Sequence, residues 1–482
     1  MAEHSPPPFF VSTYSKLPQS LFRVAEPKLV AAPKSVLLND ALAASIGIST
    51  QWLHSNEALH ALVGNQALPE IPRIAMAYAG HQFGHFVPSL GDGRAALLGE
   101  INGYDLHLKG SGRTAFSRGG DGRATLSAML REYIISEAMA ALGIPTTRSL
   151  AVIETGEQVP REKMERGAVL TRVAKSHVRV GTFQYLAARG EEAALQALVD
   201  YELARNFHGA SKGSDRFIWF LSQVISRQAS LIAKWMCVGF IHGVMNTDNM
   251  QVSGETIDYG PCAFVDAFDP QKTFSSIDQN GRYAWDKQPV IALWNLTRLA
   301  ESMLPLFASE TPQAIAIAEA ELKQFMPQFE AAFEAGMAAK LGISPGDNGE
   351  FIALTLQNMA NAKADFTAFF STLVEVVETG DDTKLLRFFI NPVVAKDWLA
   401  QWRARLDGHT ESLTQMVKSN PILIPRNHRV EQALAAANLD NLSPLHRLTN
   451  VLSSPFDKHE GDEDLALPPT EIEEVTQTFC GT

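Results

Sequence analysis

The sequence predicts an α+β protein of two lobes: a small β-rich N-terminal lobe with one key helix, and a large helical C-terminal lobe with added C-terminal helices. Three observations carry that expectation. Glycine is dense between residues 85 and 125, where two apolar runs flank an Asn-Gly pair. A single stretch of helical spacing follows at 127–142, and beyond residue 185 helical spacing dominates.

Composition narrows the function classes. With 482 residues, 46% hydrophobic and 20% charged, the chain can bury a large core and does not read as disordered. Its 41 Lys+Arg against 53 Asp+Glu give a net charge of −12, which argues against nucleic acid or an anionic membrane as a partner. No apolar run reaches the roughly 18 residues a membrane helix needs; the best, around 235–245, is broken by Lys234 and His242. The N-terminus MAEHSPPPFF has no apolar core with basic residues before it, so a cytoplasmic protein is expected, with a monomer as the default. Cys237, Cys262 and Cys480 are too few for a disulfide framework or a structural zinc site.

The elements follow in order. Residues 1–60 mix coil containing Pro6, Pro7, Pro8, Pro18, Pro27 and Pro33 with a helical segment at 37–46, and read as an arm packing on the body. Residues 61–184 form the small lobe. There 95–101 and 104–108 are strands joined at Asn102-Gly103, a pair suited to a tight hairpin. Leu130, Tyr133, Ile134 and Met139 mark the helix at 127–142, which Gly143 and Pro145 close, and 168–173 is a further strand. Residues 185–330 form the large lobe, with helices at 191–207 and 215–238; Phe217, Leu221, Val224, Leu231, Trp235 and Met236 give the second an apolar stripe. Residues 331–482 are a helical extension ending in a Pro- and acid-rich tail that carries Cys480.

The chemistry concentrates in a few segments. Ser253-Gly254 suits a two-residue turn, so 250–252 should pair with 255–257 and set Asn249 opposite Asp258. An amide oxygen beside a carboxylate is a hard-ligand pair suited to Mg²⁺, although Asn and Asp also flank ordinary surface turns. His242 stands seven residues before Asn249, and Asp258-Tyr-Gly260 follows, which resembles the protein-kinase catalytic loop and its Asp-x-Gly. The kinase aspartate two residues after His is here Val244, so Asp248 is the nearest carboxylate.

Matching partners precede these in kinase order: Gly91, Gly93 and Arg94 before the hairpin, Lys109 at its end and Glu132 on the helix. Singly, a strand-end Lys and a helical Glu are usually solvated; as an ordered set they point to a nucleotide, with Glu132 holding Lys109. Two features exceed what a kinase needs. Residues 110–126 are glycine-rich and carry Arg113, Arg118, Arg123 and Asp121, and Arg172 and Arg179 stand seven apart. Backbone N–H groups and guanidinium forks both suit polyphosphate.

YAGHQFGHFVPSLGDGRAALLGE, DLHLKGSGRTAFSRGGDGRATL, LREYIISEAM, HGVMNTDNM, IDYGPCAF and NPILIPRNH together resemble the selenoprotein O family, the protein adenylyltransferases also known as YdiU, across nearly the whole chain. The resemblance implies a protein-kinase-like fold that binds ATP in the reverse sense and transfers AMP to Ser, Thr or Tyr of proteins with Mg²⁺ or Mn²⁺. It makes Gly91, Gly93, Arg94, Lys109, Asp121, Gly122, Arg172, Arg179 and Asp258 nucleotide contacts, Asp248 the proton acceptor, and Asn249 and Asp258 the metal ligands. Cys480 takes the place of the selenocysteine that many members carry, and a regulatory disulfide with Cys262 is a hypothesis resting on position. Two other classes stay open: a kinase that transfers the γ-phosphoryl group, and an inactive ATP-binding scaffold.

Overall fold

The computed structural model describes residues 8–479 except 27, 67, 69–70, 210–212, 214 and 407, with the side chains of 409 and 410 also left out. Pro6, Pro7, Pro27 and Cys480 therefore lie outside the described residues.

Among the described residues the β-rich part has ten strands: β1 (Phe22–Val24), β2 (Lys34–Leu38), β3 (Ile74–Met76), β4 (Gly80–Gln82), β5 (His85–Val87), β6 (Ala95–Ile101), β7 (Tyr104–Lys109), β8 (Ala124–Thr125), β9 (Arg148–Pro160) and β10 (Met164–Ala174). The main sheet is antiparallel in the order β1-β3-β6-β7-β10-β9-β2, with β8 beside β10, while β4 and β5 form their own hairpin. Asn102 and Gly103 both take positive φ, +47° and +83°, as the tight turn between β6 and β7 requires. Register then sets Lys109 opposite Ala95 on one side and Leu170 on the other, at the sheet end that faces the helical part.

The first 60 residues do more than wrap the body: β1 and β2 are the two edges of the sheet. The helix expected over 37–46 is strand through Leu38, and α1 (Asp40–Ser45) begins after Asn39, whose side chain accepts from Leu42 N at 3.0 Å. With α2 (Thr50–Leu53) and α3 (Asn56–Val63) it seals one sheet face, Leu42, Trp52 and Leu62 packing with Leu98, Leu106 and Val169. The other face carries α4 (Leu126–Ala141), whose Leu130 and Ile134 pack with Val152 and Leu170.

Helices α5 (Val180–Ala187), α6 (Glu192–Asn206) and α7 (Asp215–Cys237) open the helical part, followed by the short pair β11 (Phe240–Ile241) and β12 (Ala263–Phe264) and by α8 (Gln288–Phe307). α4, α6 and α7 fall within one residue of their sequence-predicted ends, because their apolar stripes and stop signals are complete. The extension comprises α9 (Thr311–Leu322), α10 (Phe325–Leu341), α11 (Gly349–Ala362), α12 (Phe366–Thr379), α13 (Pro392–Arg403), α14 (His409–Ser419), α15 (Asn427–Asn438) and α16 (Ser443–Leu452). Residues of α9 to α13 share the core of α7 and α8, while α15 and α16 return to α4: Val430, Ala433, Leu445 and Leu448 share a core with Leu126 and Leu130, and Arg131 pairs with Glu431 at 2.8 Å. The segment leading into α15 is a clamp. Buried Arg426 bridges Asp266 and Asp365, and the Asn427 side chain donates to Phe264 O at 2.9 Å. Among the described residues no helix is long and apolar enough to cross a membrane.

Two buried carboxyls lie where the chain leaves β10. Ser176 Oγ donates to Glu202 Oε1 at 2.6 Å and Lys175 N to Glu255 Oε2 at 3.1 Å, but burial dominates and pushes both acids up to about 7. A raised carboxyl favours folding fully below its unfolded value and loses that contribution as pH rises through the folded one. Thermal stability should therefore fall between pH 5 and 8, each group contributing up to about 3 kcal/mol at about 1.4 kcal/mol per pKa unit. Melting curves of Glu202→Gln should show a shallower pH dependence; an unchanged slope would mean that Glu202 is ionised in the fold.

Candidate active site

A cleft of about 570 Å³ opens where the sheet end meets the helical part, and it gathers residues from widely separated segments. Gly91, Gly93, Arg94, Lys109, Asp121, Gly122, Glu132, Arg172, Arg179, Asp248, Asn249 and Asp258 all line it.

One wall is the glycine-rich segment. Gly91 has φ +62°, and a Cβ there would lie 2.2 Å from the Phe116 ring, so only glycine lets residues 111–123 fold back over the 91–94 turn. Ser111 pairs with Arg123, and Gly112 N donates to Gly122 O at 3.0 Å, closing the base of that loop. Thr114 Oγ1 donates to Asp92 O at 2.6 Å and Ser117 Oγ to Gly93 O at 2.5 Å, tying loop and turn together. Asp121 pairs with Arg161, 40 residues further on, at 2.8 Å.

The floor is an ionic cluster. Lys109 Nζ lies 2.6 Å from Glu132 Oε2 and 2.9 Å from Asp258 Oδ1. Arg172 bonds both Glu132 and Asp258, and Arg179 reaches Asp258 Oδ2 at 2.9 Å and the Asp248 carbonyl at 2.7 Å. Three cations thus converge on Asp258. Burial alone would push its carboxyl up; Arg172, Lys109 and Arg179 instead hold it well below the usual range. Burial likewise works against the charge of Arg172, and Asp258 and Glu132 more than restore it. Asp258 itself has φ +64°, an unfavourable conformation for a residue with a Cβ, of the kind that collects at functional sites.

The opposite wall is the segment 244–249. Asp248 is buried, its Oδ1 has no hydrogen-bond partner among the described residues, and burial pushes its carboxyl up to about 6 against the pull of Arg179. The seat is tight: a Cβ on Gly80 would come within 2.3 Å of that oxygen. Val244, in the place of the kinase aspartate, is buried at the cleft edge. Asn249 donates its side-chain nitrogen to Val244 O at 3.0 Å, which leaves the amide oxygen for a cation.

The hairpin expected over 250–257 does not form. The turn is present, with Gly254 at φ +79° and its N–H donating to Gln251 O, but each arm has a distant partner. Gln251 pairs with Arg179, and Thr256 runs parallel to Thr146. Asn249 and Asp258 therefore share the cleft without facing each other as a cross-strand pair. Local turn chemistry loses here to the unsatisfied backbone groups of 145–147 and 178–180, which need these bonds in a buried setting.

Three further groups line the cleft beyond the sequence-predicted set: Asp92, Tyr78 and Gln82. Asp92 is buried between the two glycines; burial opposes its charge, but His107 at 3.0 Å, Arg179 and the Met76 N–H hold its carboxyl below the usual range. Its position in a glycine-rich turn was the available signal. The Tyr78 ring lies 4.6 Å from the Arg179 guanidinium carbon, and Gln82, which also lines the cleft, helps pull the Asp248 carboxyl down against burial. Nothing in the sequence marks either.

Cys262 is buried, and its carbonyl accepts from Arg131 Nη2 at 2.7 Å. The tail runs alongside: Thr478 Oγ1 donates to Pro261 O at 2.5 Å, Thr478 N to Phe274 O at 2.7 Å, and Phe479 lines the cleft.

The donors fit a hard divalent cation that keeps much of its shell as water and phosphate oxygen: the Asn249 amide oxygen and the Asp258 carboxylate, with Asp248 close by. Among the described residues no group of three or more His, Cys, Asp and Glu forms a protein cage for a metal.

The family model for protein adenylyltransferase SelO matches residues 8–453. A protein nucleotidyltransferase YdiU of Nitrobacter hamburgensis is 50% identical over 485 residues, covering 98% of this chain and 96% of its own. Proteins of the same name from Rhodopseudomonas palustris (strain BisB5), 49% identical over 495 residues, and Bradyrhizobium sp. (strain ORS 278), 51% identical over 494, each align over 100% of both chains. A match of this extent, over a chain that gathers a glycine turn, a Lys-Glu pair and an Asn/Asp loop into one cleft, leads to one conclusion: the chain belongs to the SelO family of protein adenylyltransferases.

Proposed function

We propose that the protein transfers AMP from ATP to Ser, Thr or Tyr hydroxyls of other proteins, on a protein-kinase-like fold that holds ATP in the reverse of the kinase sense. The observation that carries this reading is the Asp248 carboxyl, which lines the cleft that also collects Lys109, Arg172 and Arg179 and which burial pushes up to about 6. Asp248 takes the proton of the acceptor hydroxyl, whose oxygen forms a bond to the α-phosphorus of ATP. The bond from that phosphorus to the bridging oxygen breaks, and pyrophosphate leaves with the electron pair. Lys109, Arg172 and Arg179 neutralise the charge that gathers on the leaving group, the part of such transfers where fixed cations act most strongly. Mg²⁺ on Asn249 and Asp258 would supply further charge compensation for the phosphates. The glycine turn and the loop folded over it give the nucleotide backbone N–H groups and the Arg118 side chain. Acceptor modification should release one pyrophosphate per AMP added; release of ADP in its place would make the protein a kinase.

The reversed pose sets an expectation for Arg179, which would contact the leaving group and not the AMP moiety. Arg179→Lys should weaken ATP binding about tenfold, the loss of one forked guanidinium contact, and leave AMP binding unchanged. Equal weakening of both by isothermal titration would contradict the pose.

We also propose that Cys262 and Cys480 form a regulatory disulfide, the two thiols giving two electrons and two protons to an oxidant such as oxidised glutathione. The support is the bond from Thr478, two residues before Cys480, to Pro261, the neighbour of Cys262. Thiol counting should find two fewer thiols after oxidation in the wild type and no such difference in Cys480→Ser; the same count in both states would end the idea.

A further inference from the structure

The segment that follows Asp258 is held at every second residue. Arg131 of α4 donates through Nε to Gly260 O at 3.0 Å and through Nη2 to Cys262 O at 2.7 Å. Asn427 brackets Phe264, donating to its carbonyl at 2.9 Å and accepting from its N–H at 3.3 Å, and Arg426 pairs with Asp266. Glu431, one turn along α15 from Asn427, closes the frame on Arg131 Nη1 at 2.8 Å. Resting on the metal-binding reading above, we infer that Arg131 is a positioning residue for the metal ligand Asp258, and that α15 and the segment leading into it complete its frame.

Backbone strain is the first argument. Asp258 has φ +64°, a conformation that a residue with a Cβ keeps only where its surroundings over-determine it. Two sets of contacts do so. Lys109, Arg172 and Arg179 hold the carboxylate, and Arg131 holds the backbone two and four residues later. A polyphosphate in the cleft competes for the three cations, and the backbone hold then remains to keep the carboxylate turned to the metal. A guanidinium suits this task because its rigid fork reaches two carbonyls at once.

Placement on α4 is the second argument. Glu132, the next residue of that helix, binds Lys109 and Arg172. Adjacent residues of one helix thus hold the cation cluster and the Asp258 segment in a fixed relation. Arg131 is buried, whereas the Glu431 side chain is half exposed, so the two carbonyl bonds carry more of the hold than the ion pair does. The NPILIPRNH segment, residues 420–428, acts on the cleft through Arg426 and Asn427 without lining it.

The test is the gain in affinity that Mg²⁺ gives the full-length protein for α,β-methylene-ATP, which cannot release pyrophosphate, measured by isothermal titration in Mg²⁺ and in EDTA. Arg131→Gln should lose about 10–100-fold of that gain, the usual effect of removing a group that orients a metal ligand, and should bind the analogue in EDTA as the wild type does. Arg131→Lys, which keeps the charge and reaches one carbonyl, should lose a smaller but measurable part. Asp258→Asn should lose the gain altogether. The wild-type gain in both Arg131 variants, or in Arg131→Lys alone where the Gln variant does not fold, would overturn the inference; with the gain still lost in Asp258→Asn, the metal reading would stand. Equal weakening in Mg²⁺ and in EDTA would also overturn it, since that is what a merely structural Arg131 produces. A full gain in Asp258→Asn, or none in the wild type, would overturn the metal reading and the inference together.

Discussion

Asp258→Ala should abolish transfer, lowering turnover by roughly 10³-fold or more, because the carboxylate on which Lys109, Arg172 and Arg179 converge is also the proposed metal ligand. Lys109 and Arg172 would then keep Glu132, and Arg179 would keep Asp92 at 3.9 Å, and all three cations are buried. Breaking a buried pair by removing one partner typically costs about 3–5 kcal/mol, so the melting temperature should drop as well. Asp258→Asn separates the two effects. It keeps the shape and part of the hydrogen bonding while losing the charge, so it should remain folded, bind ATP weakly in Mg²⁺ and stay inactive. Retained turnover in the Asn variant would place the chemistry elsewhere.

Asp248→Ala should behave differently. Loss of the proposed proton acceptor should lower turnover by roughly 10²–10⁴, and ATP affinity should stay near the wild-type value because no charge of the Lys109, Arg172 and Arg179 cluster is removed. Stability should hold or rise, since the carboxylate is buried against its preference with one oxygen unpartnered. Pre-steady-state rates with a saturating acceptor, beside a binding isotherm for ATP, separate the two quantities. Lost binding with an intact fold would show that Asp248 holds the nucleotide and does not take the proton.

These two aspartates show how far the sequence could be read. The residues of the cleft were legible because phosphate chemistry needs an ordered set: a glycine turn, a strand-end Lys, a helical Glu and an Asn/Asp loop. The hairpin at Asn102-Gly103 and helix α4 were legible because a turn pair and an apolar stripe are local signals. What failed depended on distant partners. Gly254 makes its turn, but Gln251 and Thr256 pair with residues 72 and 110 positions away. β1 and β2 are edge strands of three and five residues, too short for a visible alternation, and only their seats beside β3 and β9 make them strands. β9 was hidden by its polar outer half, Glu154 to Gln158, and the apolar faces of α15 and α16 carry no address that points to α4. Asp92 is buried between two glycines, and only its distant partners His107, Arg179 and the Met76 N–H mark it.

The reversed pose stands or falls on which phosphorus of ATP receives the acceptor oxygen. Incubating the protein and a generic acceptor with Mg²⁺ and ATP labelled at the α or the γ position, in parallel, with Asp258→Ala as control, reads this directly. The reversed nucleotide predicts that only the α label becomes covalently attached to protein, and that Asp258→Ala attaches none. Attachment of the γ label alone would contradict it, making the protein a kinase and removing the roles assigned to Arg172 and Arg179.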